Sequence, residues 1–79
     1  MNMKDDVREK EEYGEVFCTL GDIIEARNLS VSEVAVMCKT LQVNVQRAVD
    51  NTAWPSAKLL ARLCSVLNVE ISLLIGYRS

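Results

Sequence analysis

The stretch "VMCKTLQVNVQRAVDN", residues 36–51, decides the fold. It has neither Gly nor Pro, and its apolar residues recur at helical spacing, so local rules permit one unbroken helix. A turn near Lys39 would split it instead into two short helices. The unbroken form belongs to an elongated dimer. The split form gives a short second helix that shows Gln42, Gln46 and Arg47 to the outside.

On either side of this stretch the elements are short and helical. "SVSE", residues 30–33, is a capping box: the Ser30 hydroxyl can accept from the Glu33 amide while the Glu33 side chain reaches back. It precedes the apolar run Val34, Ala35 and Cys38. Upstream, in "FCTLGDIIEARN", Phe17, Leu20 and Ile24 fall on one helical face, and Asn28 is a stop because Asn tolerates the left-handed conformation. Downstream, Pro55 in "TAWPS" forces Trp54 out of helix and Ser56 can cap the next helix. Leu59, Leu60, Leu63 and Leu67 make the apolar stripe of that helix, which Asn68 ends. "EISLLIG", residues 70–76, reads as a short last helix with Leu74 and Ile75 available to a core or a partner. No strand pattern stands out, so the chain reads all-α, with four or five short helices.

The totals agree with one small domain of 79 residues. Such a domain buries a modest fraction of its surface, and dimerisation would help it. Hydrophobic residues make up 49%, enough that some apolar surface is expected to meet a partner. The charge of −2 is unevenly spread. Residues 1–16 carry three basic and six acidic side chains and read as a solvated arm, whereas residues 17–79 carry six basic and five acidic ones and read as the folded domain. Three Cys at no metal-binding spacing, with no secretory leader pattern, fit reduced thiols in a cytoplasmic protein. No apolar run is long enough for a membrane span. With no His, no Gly-rich phosphate loop and no nucleophile beside a base, neither an enzyme nor a cofactor or metal site is expected.

With the segments placed, their order resembles the Cro and phage-repressor type of helix-turn-helix domain, the XRE family. The resemblance covers residues 20–75. "LSVSEVA", residues 29–35, is similar to the family's Leu-Ser-Gln-x-Glu-Leu-Ala, and the spacing from Leu29 to Pro55 matches without a gap. "WPSAKLLARLCSVLNVEISLLIG", residues 54–76, is similar to the family's closing pattern. The resemblance implies a five-helix, lambda-repressor-like fold whose second and third helices form the helix-turn-helix, with the third in the major groove. It puts the turn at residues 39–41 and the reading helix at about 41–50. At 100° per residue, Gln42, Val43, Gln46, Arg47 and Asp50 share one arc, while Leu41, Val45 and Ala48 share the other and Val49 lies on the border. That division holds with or without a turn.

Several positions depart from the pattern. Lys39 stands where the family has Gly, at a cost of about 1 kcal/mol in a left-handed turn. Leu41 stands at the Ser or Thr cap, with Thr40 one residue early. Val31 replaces a phosphate-touching Gln, Val49 replaces a Glu, and Asn51 replaces a Gly.

The residues matching the base-reading positions are Gln42, Val43 and Arg47, with Asn44 and Gln46 alongside. Gln can bind adenine in a bidentate way, Arg can do the same to guanine, and Val can meet a thymine methyl. The plain alternative is a solvated, Gln-rich helix face, and Asp50 on that face would repel phosphate. Lys39 and Lys58 are candidate phosphate contacts, with Arg62 an outer one; each reads equally well as an ordinary surface charge. Two or three such contacts bind DNA poorly, and a dimer on two half-sites doubles them. Cys18, Cys38 and Cys64 lie on or beside apolar faces and read as inert. Trp54 reads as the rim of the core, or as a dimer or backbone contact, and the resemblance puts Tyr77 near a two-fold interface.

The expectation is a phage-like, cytoplasmic, repressor-type transcriptional regulator that binds double-stranded operator DNA as a homodimer. The alternative is a degenerate helix-turn-helix interaction protein, an antirepressor or a subunit pairing with a second regulator, which does not itself bind DNA. Val31, Lys39 and Asp50 are the residues behind that alternative.

Overall fold

The structure is a computed structural model that describes residues 15–78. The proposed arm is therefore described only at its last two residues, where β1 begins. In chain order the elements are β1 (Glu15–Cys18), α1 (Leu20–Ala26), α2 (Val31–Cys38), α3 (Gln42–Asp50), α4 (Ala57–Leu67), a 3-10 turn (Ile71–Leu74) and β2 (Ile75–Arg78).

The helices begin and end for local reasons. Ser30 accepts from the Glu33 amide at 3.1 Å while its own amide donates to the Glu33 carboxylate at 3.0 Å, so the capping box is complete. Ser56 caps α4 through the Leu59 amide at 3.2 Å. At the other ends, the same device recurs after every α-helix. Asn28, Lys39, Asn51 and Asn68 all have φ between 54° and 58°. Each left-handed residue and its successor turn their amides back onto the preceding carbonyls: Thr40 donates to Ala35 at 3.0 Å, Thr52 to Arg47 at 3.0 Å, Val69 to Cys64 at 3.0 Å and Leu29 to Ile24 at 2.9 Å. This closure satisfies carbonyls that a helix end leaves free. Asn reaches the left-handed region more easily than other non-Gly residues; Lys does not.

The core is one layer of side chains shared by all the helices. Leu20 and Ile24 from α1, Val34, Ala35 and Cys38 from α2, Val45 and Ala48 from α3, and Leu59, Leu63 and Leu67 from α4 are buried together with Cys18 and Leu74. Gly21 lets α1 approach α3 closely, since a Cβ there would lie 3.2 Å from Val49 Cγ1. Val49 is thus a packing residue.

Several expectations are corrected. Among the described residues, the five-helix, all-α reading gives way to four α-helices and a 3-10 turn, with a two-stranded antiparallel sheet. The sheet pairs Val16 with Tyr77, Phe17 with Gly76 and Cys18 with Ile75. Phe17 therefore belongs to a strand, not to the first helix, and its ring lies across Gly76, where a Cβ would come within 2.4 Å of Phe17 Cζ. The last helix expected to end at Gly76 stops at Leu74, and Gly76 lies in β2. The unbroken helix over residues 36–51 is ruled out by the left-handed Lys39 and the extended Leu41.

Candidate nucleic-acid interface

The outer surface of α3 is fixed from three sides. On its inner side Val45 and Ala48 are fully buried. At its start, the turn through Lys39 sets its direction relative to α2, and Arg62 of α4 braces that turn by donating from Nη1 to the carbonyls of Cys38 and Lys39, at 3.3 and 3.5 Å. Arg62, an outer candidate for phosphate, is thus partly committed to the fold.

At its end, Asn51 does more than adopt a left-handed conformation. Its Oδ1 accepts from the Cys18 amide at 2.6 Å, and its Nδ2 donates to the Cys18 carbonyl at 3.0 Å. The side-chain amide stands in for a neighbouring peptide group and ties the end of α3 to β1. The sequence alone reads Asn51 as a tolerable replacement for Gly and gives no sign of this role. Its partner lies 33 residues away, so no local pattern carries the signal.

The candidate base-reading residues separate into two sets. Gln42, Val43 and Arg47 are exposed. Asn44 and Gln46 are half-buried and already engaged: Asn44 Nδ2 donates to Thr40 Oγ1 at 3.1 Å, and Gln46 Nε2 donates to Asp50 Oδ1 at 3.0 Å. Each amide donates one N–H in these bonds and keeps its oxygen and second N–H available, with its orientation set by the bond already made. The Gln46 amide also occupies part of the Asp50 carboxylate, the group that would oppose phosphate on this face. Thr40 serves the Asn44 side chain and does not cap α3, whose N-cap is Leu41 with no side-chain cap bond.

Leu41 itself corrects an expectation. The helical wheel puts it inward with Val45 and Ala48, yet it is 70% exposed. The wheel extrapolates helix geometry to a residue whose backbone is extended, with φ −72° and ψ 143°.

Lys39 and Lys58, the candidate phosphate contacts, are exposed. Lys39 lies in the turn before α3 and Lys58 at the second position of α4. Between α3 and the start of α4 runs an open cleft of about 260 Å³ lined by Thr40, Asn44, Arg47, Trp54, Ser56 and Leu59, among others. Half-exposed Trp54 forms part of its wall, as does exposed Arg47 of α3. Burial pushes the thiols of Cys18 and Cys38 up from their ordinary range; the Leu20 amide and the Arg62 charge oppose it at the two sites respectively. Both stay neutral near pH 7, which removes the thiolate that redox chemistry needs. Among the described residues no group of His, Cys, Asp and Glu is placed to hold a metal ion, and no helix is long and apolar enough to cross a membrane.

The fold has a counterpart among solved structures. A protein from Bacteroides fragilis, described provisionally as DNA-binding, superposes with a TM-score of 0.71 at 18% identity, over 78% of this chain and 100% of that one. At that identity the likeness concerns the fold, a mostly helical domain consistent with a helix-turn-helix. No family model matches the chain, and no curated protein does.

Proposed function

We propose that this chain is a non-catalytic, sequence-specific DNA-binding regulator of the Cro and phage-repressor (XRE) type, acting as a homodimeric repressor in the cytoplasm. The observation that carries the reading is the left-handed turn at Lys39, which makes α3 a separate helix with Gln42, Val43 and Arg47 exposed on one side. The fold shared with the Bacteroides fragilis protein supports it. In this reading α3 enters the major groove, Gln42 and Arg47 read base edges, and Lys39 and Lys58 meet phosphates on either side. Asn44 and Gln46 add base contacts through the amide oxygen and the N–H that their bonds to Thr40 and Asp50 leave free.

Dimerisation in this reading falls to the sheet and 3-10 turn formed from the two ends of the described chain, apart in sequence from the reading helix. Ile71, Leu73, Ile75 and Tyr77 of the 3-10 turn and β2 are exposed, as is Val16 of β1. Among the described residues β2 pairs only with β1, so its other edge has no strand beside it and is a template for further pairing. Tyr77 belongs to this surface.

The test is selection of duplexes from a random pool with the full chain, followed by anisotropy titrations at a series of salt concentrations. Each protomer meeting two phosphates gives a log–log salt slope of about −2 for a monomer and about −4 for a dimer. Recovery of no preferred sequence at low salt would overturn the reading.

A second reading, an interaction subunit that pairs with another regulator, is favoured by Asp50 on the outer face and by Val36, which is 77% exposed on α2. Capture of a defined second regulator by a chain that selects no DNA would establish it.

A further inference from the structure

Leu41 is poorly explained by stability. It stands at the N-cap of α3 and makes no side-chain cap bond, although Ser, Thr, Asp or Asn at that position would satisfy an amide of the first turn. It also leaves 70% of its surface in water, so burial returns little for the lost cap. Two residues on, Val43 is 46% exposed at the same tip of the helix. Between them stands Gln42, exposed and polar. The start of α3 therefore offers two exposed branched aliphatic side chains adjacent in sequence to one exposed amide.

In the major groove each base pair shows a different pattern, and thymine alone adds a C5-methyl group to it. The N-terminal residues of a reading helix are the ones that reach base edges. An aliphatic side chain there gains nothing from hydrogen-bonding edges and loses nothing by covering a methyl. We infer that Leu41, together with Val43, is a specificity-determining residue that reads thymine C5-methyl groups near the base contacted by Gln42. This rests on the DNA-binding reading above and extends it to a residue outside the expected reading set.

The test uses the full chain and a duplex chosen by selection, with thymines replaced one at a time by 2'-deoxyuridine. That change removes one methyl and leaves every hydrogen-bonding group in place. Loss of one buried methyl contact weakens binding about fourfold. The effect is expected at one or two thymines per half-site. In Leu41→Ser, which restores a capping side chain and leaves no methyl group, sensitivity at one of those thymines disappears. Deoxyuridine duplexes that bind as tightly as thymine duplexes, or a sensitivity that Leu41→Ser leaves intact, would overturn the inference while leaving DNA binding standing. Failure to select or bind any duplex at low salt would overturn both. Circular dichroism of Leu41→Ser confirms that the comparison is between folded proteins.

Discussion

Among single residues, Lys39 holds the most informative conflict. Its φ of 54° is close to the values that Asn28, Asn51 and Asn68 adopt after the other helices, but Lys has no local compensation for it. Lys39→Gly is therefore expected to stabilise the domain by about 1 kcal/mol, raising Tm by about 4–8 °C in a protein of this size. The same change removes a proposed phosphate contact, so the salt slope of DNA binding should shrink by about one per protomer. A thermal melt and a salt titration read the two effects separately. A stabilised variant with an unchanged slope would leave Lys39 a surface charge with no part in DNA contact. The cysteines give a second prediction of this kind. Burial raises the Cys18 and Cys38 thiols in the folded state, so the unfolded chain ionises first as pH rises. Their contribution is complete below the unfolded thiol range of about 8.5 and is lost as pH climbs through the folded values. Chemical denaturation from pH 7 to 10 should show stability falling above about pH 8.5, and a Cys18→Ala, Cys38→Ala double variant should show a shallower fall.

Among the elements, helices were legible and strands were not, for a physical reason. A helix carries its evidence within a few residues: the capping box at Ser30 and Glu33, the Ser56 cap behind Pro55, and the Asn residues after α1 and α4 all act where the sequence pattern put them. The strands are four residues each, and each finds its partner only at the far end of the chain, as Phe17 does with Gly76. So short an apolar run has no period that separates strand from helix. The spacing of Phe17, Leu20 and Ile24 mimics a helix that starts only at Leu20. The turn inside residues 36–51 was legible only through a spacing shared with a known family, because Lys39 is not a turn residue. The engagement of Asn44 and Gln46 and the clasp from Asn51 to Cys18 depend on side-chain geometry and left no local mark. The clasp makes its own prediction. Asn51→Gly keeps a left-handed C-terminus for α3 but removes both bonds to β1. It should destabilise the domain by about 1–3 kcal/mol, against the slight gain expected if Asn51 only filled a turn. Hydrogen exchange should locate the loss at the Cys18 amide, with the α4 amides falling only as far as global stability falls.

For the whole molecule, two surfaces are set at different places and joined through the fold. The outer face of α3 carries Gln42, Val43 and Arg47, and the terminal sheet and 3-10 turn carry exposed Ile71, Leu73, Ile75 and Tyr77. Asn51 links them, since it closes α3 and holds the strand that pairs with β2. If this second surface makes the dimer, Leu73→Asp should yield a folded monomer by light scattering and halve the salt slope. An unchanged dimer would move the interface elsewhere. The proposed function turns on α3. Its decisive measurement is anisotropy titration of a selected duplex with the parent chain, Gln42→Ala and Arg47→Ala. Loss of a bidentate base contact costs about 1–3 kcal/mol, so each variant is expected to lose roughly five- to 160-fold in affinity per half-site of that duplex while binding random DNA as before. Parent-like affinity in both variants would contradict the claim that this helix reads DNA.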